Sequence, residues 1–261
     1  CYVDHRDLLS FPTRRSSDLI HEAGLINRAN MLVTNPLMGS PGYVYYPSAK
    51  GCAFLAQEKE DASYKHVCTR TPNWMHMYHW VAVAEAHIVL DQAVRLCKDV
   101  AVDRWISEWD TLDPDEKEPE KKFQLYTRLG PKLVCAPDAA FLLAKDGFRK
   151  AFYIELDRDT TESSDRVAAQ KCHGFAGLFE KRAHILRHFP AANVEKFAML
   201  FIVPTVKRHD ALRASFSSKP APWLYKFAAQ VDLRPETFLT ERIWYPCVGE
   251  PSALVKEGGQ G

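Results

Sequence analysis

Asp138, Glu155, Asp157 and Lys171 have the types and the spacing to act on a phosphate ester. Asp138 follows Pro137 at the opening of an apolar run, AAFLLA. Glu155 and Asp157 stand two apart at the close of the next run, KAFYIELD, so an extended strand turns both to one face. If the two runs form a hairpin, Asp138 comes within reach of that face. Carboxylates converging at a sheet end give a hard cation such as Mg²⁺ its oxygen ligands, with waters left for chemistry. Lys171 falls about two helical turns into the segment that follows. From there it would project over the same end, to orient a nucleophile or stabilise the phosphate. The plainer alternative makes Pro137-Asp138 a turn at a strand entry. Glu155 and Asp157 would then be solvated partners of Arg149 or Arg158, and Lys171 a solvated helix lysine.

The elements that must position these groups are legible in the periodicity. Residues 73–99, NWMHMYHWVAVAEAHIVLDQAVRLCKD, carry apolar residues at helical spacing. VDRWISEW alternates like a strand. DTLDPDEKEPEKKF is a charged loop with two prolines. AAFLLA and KAFYIEL are two strands joined by a turn at Lys145-Asp146-Gly147. The segment TTESSDRVAAQKCHGFAGLFEKRAHIL is a long helix, N-capped by Ser163 or Ser164. KFAMLFIVPT is apolar almost throughout, which suits a central strand covered on both faces. VKRHDALRASF gives another helix, LYKFAAQVDL a further strand, and Phe238–Trp244 a helix or edge segment. Strands and helices in this order predict an α/β fold around a mixed sheet.

The N-terminal residues need separate treatment. SFPTRRSSDL, Ser10–Leu19, is the translation of a sequencing-library adapter, so residues 1–19 are read as a scar and not as native protein. Residues 20–57 read as helix, strand, Gly/Pro-rich turn (NPLMGSPG), strand (GYVYYP) and a helix opened by Ser48. That is the second half of a winged helix, and Arg28, Tyr45 and Lys50 are its candidates for phosphate contact. A structural cap on the next domain is the equal alternative. Residues 58–73 read as a linker, 74–247 as a nuclease-like α/β domain and 248–261 as a tail.

A formal net charge of +1 excludes a global field for nucleic acid, so DNA contact must come from local patches. Lys207, Arg208, Arg213 and Lys219 form one such patch, unless they are simply a solvated helix face. No apolar run approaches a membrane span of roughly 20 residues. The 7 cysteines form no CxxC pair and suit buried thiols in a reducing cytoplasm. No GxGxxG, GxxxxGK[ST] or GxSxG occurs, and His76-x-x-His79 lacks the glutamate of a zinc HExxH motif.

The strand pair PDAAFLL…FYIELD resembles the PD-(D/E)XK restriction-endonuclease-like fold, with Pro137-Asp138 and Glu155 at the motif's acidic positions. The motif's lysine position is Asp157 here, and in some members of the fold the lysine migrates to the adjacent helix, where Lys171 stands. The resemblance also offers Glu85 and Glu108 as additional acids. MYHWVAVAEA, WISEWD, IELDRDTTESSDRVAAQK and AMLFIVPTVKRHDAL, behind a winged-helix remnant, are similar to the replication-relaxation family of plasmid and mobile-element proteins over about residues 20–247. The resemblance implies a cytoplasmic DNA-binding protein, with a relaxase or replication factor as partner and a homodimer as one assembly. Two readings stay open: an Mg²⁺-dependent endonuclease using Asp138 and Glu155 as ligands, Asp157 in support and Lys171 at the phosphate, or a catalytically inactive scaffold.

Overall fold

The computed structural model describes residues 2–3, 16–31, 42–66, 69, 71, 73–113, 115–158 and 163–255. The chain divides into two compact units, Cys1–Glu85 and Ala86–Gly261.

The first unit contains β1 (Tyr2–Val3), α1 (Ser16–Glu22), β2 (Ile26–Asn30), β3 (Tyr43–Pro47) and α2 (Ala49–Glu58). The strands pair antiparallel in the order β1-β3-β2. After α1, Gly24 takes φ +73°, a left-handed conformation that glycine reaches without a Cβ clash. Ser48 caps α2: its Oγ accepts from the Gly51 N–H at 2.9 Å and donates to Gly24 O at 2.6 Å. One hydroxyl thus ties the end of one helix to the start of the next. Gly51 itself has no room for a side chain, because a Cβ there would lie 1.9 Å from Leu25 O. α3 (Trp74–Leu96) begins in this unit, where Met77 and Val81 pack with Val44. Apart from Gly42, the expected NPLMGSPG turn lies outside the described residues, as does most of the stretch read as adapter.

The second unit takes in the end of α3. It continues with β4 (Val100–Ser107), α4 (Pro119–Lys122), β5 (Thr127–Arg128), β6 (Val134–Cys135), β7 (Ala139–Lys145) and β8 (Phe148–Leu156). Then come α5 (Ser164–Glu180), β9 (Phe197–Val203), α6 (Val206–Ser217), β10 (Tyr225–Ala229) and β11 (Tyr245–Pro246). Six strands form one mixed sheet in the order β11-β10-β9-β8-β7-β4. β4, β7 and β8 run antiparallel to their neighbours, β8, β9 and β10 run parallel, and β11 closes the edge antiparallel. The fold is the mixed α/β architecture that the periodicity predicts. β9 is buried at every position, as a strand covered on both faces must be. The β7–β8 turn holds Asp146 at φ +49° and Gly147 at φ +80°, the left-handed pair that matches strand twist in a two-residue hairpin.

Alternation along the strands sorts the sheet into two faces. Ala140, Leu142, Ala151, Tyr153, Met199, Phe201, Tyr225 and Phe227 pack in one core with Ala168, Cys172 and Phe175 of α5 and Leu212 and Phe216 of α6. On the other face Phe141 and Phe152 stack at 5.0 Å, Trp105 lies on Phe141, and His87 of α3 lies flat on Trp105 at 3.9 Å.

Several elements differ from expectation. β4 ends at Ser107, where the Asp110 N–H donates to Ser107 O at 3.1 Å and closes a turn over Glu108 and Trp109; a bulge interrupts the strand earlier, between Val102 and Arg104. The charged loop contains the short α4, started by Pro119, whose missing N–H is harmless at a first helical position. The long helix stops at Glu180, and a π-turn, His184–His188, replaces its predicted last turn. Around Phe238–Trp244 there are turns, with a bridge from Trp244 to Ser252. Among the described residues no helix is long and apolar enough to cross a membrane.

Candidate catalytic and metal site

Asp138 stands one step outside the Ala139–Ile154 pair of the β7–β8 hairpin. Its N–H donates to Ile154 O at 3.1 Å, and its Oδ2 accepts from the Leu156 N–H at 2.7 Å. Asp138 therefore grips the two residues that flank Glu155. By alternation Asp138 follows Ala140 and Leu142, and Glu155 follows Ala151 and Tyr153, so both acids face α5. They are 8 % and 4 % exposed, deep enough that their charges need compensation.

α5 supplies that compensation. Ser163 caps it, its Oγ accepting from the Arg166 N–H, and the packing of Ala168, Cys172 and Phe175 on the sheet fixes its rotation. Lys171 then comes over the end of β8, where its Nζ donates to Glu155 Oε1. The Lys171 side chain keeps 39 % of its exposure against 6 % for Glu155, so the lysine is the solvent-facing member of the pair. Burial pulls the Lys171 pKa down. The carboxylates of Glu155 and Asp138 outweigh it and hold the ammonium above the ordinary lysine value. Lys171 is a cation throughout the neutral range. Cys135 of β6 lies in the same field: burial raises its thiol, and the Glu155 charge raises it further.

A third acid adjoins the first two. The Glu108 N–H donates to Asp138 O at 3.0 Å, and carboxylate oxygens of Glu108 and Asp138 lie within 4.8 Å of each other. Glu108 follows β4, Asp138 precedes β7 and Glu155 closes β8, so three adjacent strands bring acids to one end of the sheet. The carboxylates of Asp138, Glu155 and Glu108 are hard oxygen donors of the kind a divalent cation such as Mg²⁺ takes. Glu85 sits half-buried on α3, in the first unit.

Asp157 takes a different partner. Its N–H donates to Ile202 O at 3.0 Å, and its Oδ2 accepts from Arg208 Nε. Arg208 also donates to Ser164 Oγ at 3.1 Å, and its own N–H is capped by Thr205 Oγ1 at 3.2 Å. The two side chains are 11 % and 7 % exposed, so this is a buried ion pair joining the end of β8 to the starts of α5 and α6. Arg149 is bonded to Asp103 on β4.

The residues read as phosphate contacts divide. Arg28 lies on β2 with its guanidinium over the Tyr43 ring at 4.5 Å, and Lys50 is exposed with Nζ donating to Ala23 O at 2.8 Å. Lys207 is exposed on the first turn of α6. Tyr45 is buried, and Arg208 is the buried partner of Asp157. Arg213 donates to Pro246 O at 2.6 Å and Gly249 O at 2.7 Å, pinning the segment after β11. Sequence reasoning did not mark the buried network around His188. Tyr153 lies 2.6 Å from its Nδ1 and Thr127 Oγ1 3.0 Å from its Nε2. Nothing in the spacing around His188 distinguishes it from a surface histidine.

None of the curated proteins and none of the solved structures compared matches the chain. A family profile described as replication-relaxation does match it, over residues 4–188, beginning inside the stretch read as adapter. That range holds Asp138, Glu155, Asp157 and Lys171 and covers well over half of the sequence. The chain belongs to the replication-relaxation family, and with it to the replication of plasmids or mobile elements.

Proposed function

We propose that the chain is a cytoplasmic DNA-binding protein of plasmid replication, relaxation or mobilisation whose second unit breaks a phosphodiester bond with the help of Mg²⁺. In this reading the first unit is a winged helix that meets DNA phosphates through Arg28 and Lys50; Lys207 is a separate phosphate contact of the second unit. The observation that carries the cleavage reading is the bond from Lys171 to Glu155, beside Asp138. A cation has been brought from a helix to the acidic sheet end, although the strand itself offers Asp157 where the fold's motif has lysine.

Asp138 and Glu155, with Glu108 alongside, would hold the metal. When bound, Mg²⁺ would supply Lewis acidity at the phosphate and at a water. Lys171 cannot act as the base, because its neighbours keep it protonated. It is a fixed positive charge, placed to stabilise negative charge developing on phosphate oxygens. Asp157 supports the site through Arg208 by holding the end of β8 against α6. A relaxase or replication factor is the partner class that a nicking role would require, and a homodimer would suit paired DNA contacts.

The test is conversion of supercoiled plasmid by the protein with Mg²⁺, Mn²⁺ or EDTA, beside Asp138→Ala, Glu155→Ala and Lys171→Met. Metal-dependent nicking, lost by a factor of about 100 or more in each variant, is the expected result. A second reading, a non-cleaving scaffold, draws on the Asp157–Arg208 pair, which commits the motif's lysine position to the fold. Salt-sensitive DNA binding without cleavage under any metal would select it.

A further inference from the structure

At the opposite end of β8 from Glu155, roughly 16 Å along the strand by its rise per residue, lies a groove of about 950 Å³. It belongs wholly to the second unit, and none of the acids described above lines it. Its cations are Lys145, Arg149, Lys150, Lys196 and Lys226, set against Asp146 and Glu195, with Arg149 also paired to Asp103 beside the groove. In a chain of net charge +1 this is a local excess of one sign.

Alternation explains the groove's floor. Ala151 and Tyr153 face α5, so Lys150 and Phe152 face the other side, and Lys226 does so on β10 between Tyr225 and Phe227. Lys226 is half-buried and Lys150 reaches the surface. Lys150 Nζ lies 5.1 Å from the Phe152 ring centroid, and Lys226 Nζ meets Ser252 Oγ. Among the described residues no carboxylate comes within 4.0 Å of Lys150, Lys196 or Lys226. Burial holds the pKa of Lys150 and of Lys226 below the ordinary lysine value, and the charge of Lys150 lowers Lys226 further. An arriving anion would relieve both penalties.

The rim is aromatic. Phe148 is 81 % exposed and Trp223 is 55 % exposed. Trp223 is braced edge-on by Phe179 at 4.8 Å, which leaves a fixed ring in solvent. Protein-binding patches are depleted of lysine at their centres, whereas clustered cations beside exposed rings suit unpaired nucleotides.

We propose that this groove is a binding track for single-stranded DNA, in which Lys150, Lys196 and Lys226 hold phosphates while Phe148 and Trp223 stack bases. The inference shares with the proposed function only the premise that DNA is the ligand, and it needs neither metal nor cleavage.

The experiment is fluorescence anisotropy of a labelled oligothymidine of about 20 nucleotides with the full chain in EDTA. Binding should weaken at least about tenfold in Lys150→Gln/Lys226→Gln, with the salt slope reduced by about 1.4 for two phosphate contacts. Phe148→Ala and Trp223→Ala should each lose about tenfold, and Lys150→Arg/Lys226→Arg should keep the affinity, which separates lost charge from lost fold. Unchanged affinity in both the glutamine and the alanine variants overturns the proposal. So does a groove that takes an oligoglutamate peptide and ignores oligothymidine. If the groove variants still nick plasmid while oligothymidine binding never depended on them, only this inference fails. If oligothymidine binding needs the lysines while no metal supports nicking, only the cleavage reading fails.

Discussion

Replacing Arg208 tests whether its guanidinium belongs to the fold or to DNA. The pair with Asp157 is 7 % and 11 % exposed, so Arg208→Met leaves a carboxylate in a site built around a guanidinium. Breaking a buried pair on one side costs about 3–5 kcal/mol. The lost bond to Ser164 Oγ belongs to the same cost. Asp157→Asn keeps the shape and an acceptor oxygen, and should cost less, about 1–3 kcal/mol. Arg208→Met/Asp157→Leu removes both charges and should recover most of the loss, ending within about 1 kcal/mol of the wild type. Urea unfolding followed by circular dichroism reads this directly. At a slope of about 2 kcal/mol per molar, a loss of about 4 kcal/mol moves the midpoint by about 2 M. The salt slope of DNA binding should stay unchanged in the double variant. The reasoning is refuted if Arg208→Met costs under about 1 kcal/mol, or if the double variant loses the sum of the singles. Arg208 would then be a DNA contact held near Asp157 by accident of packing.

Two further outcomes follow from single contacts. Gly51→Ala puts a Cβ 1.9 Å from Leu25 O, where backbone must move; the first unit should lose about 2 kcal/mol or more, read as faster amide exchange across β2 and β3. Burial, with the charges of Arg187, His184 and Arg104, lowers the pKa of His188 to about 3. Between that value and the unfolded value near about 6.5 the unfolded chain takes up a proton that the native chain refuses, so His188 subtracts stability as pH falls. His188→Asn should be the less stable protein at neutral pH, and the gap should narrow by about 2–3 kcal/mol by about pH 4.5; parallel stability curves would contradict this.

The β7–β8 hairpin was legible because its signals are local. Alternation of AAFLLA and KAFYIEL, with Asp146-Gly147 between them, leaves few other ways to fold, and the same period puts Asp138 and Glu155 on one face. The Ser163 cap and the wholly apolar β9 are equally local features. Arg208 was not legible. Its partner lies 51 positions earlier, and a basic helix start reads as a solvated face until the packing of α6 turns one residue inward. Tyr45 fails for a related reason: Val44, Tyr45 and Tyr46 are all buried, so alternation cannot say which one meets solvent. The end of β4 was misplaced by two residues because the alternation of WISEW runs on past Ser107, while a turn closed by Asp110 ends the pairing there.

The β7–β8 hairpin also orders events in time. Its two-residue turn lets β7 and β8 pair by local contacts, on the microsecond scale of hairpins, before α5 and β9 make the crossover. Asp138 and Glu155 therefore become neighbours before Lys171 and Arg208 arrive, and the early chain carries adjacent carboxylates without their counter-charges. Mutual repulsion should slow that step at neutral pH. Neutralising either acid, by Asp138→Asn or by Glu155→Gln, should speed refolding.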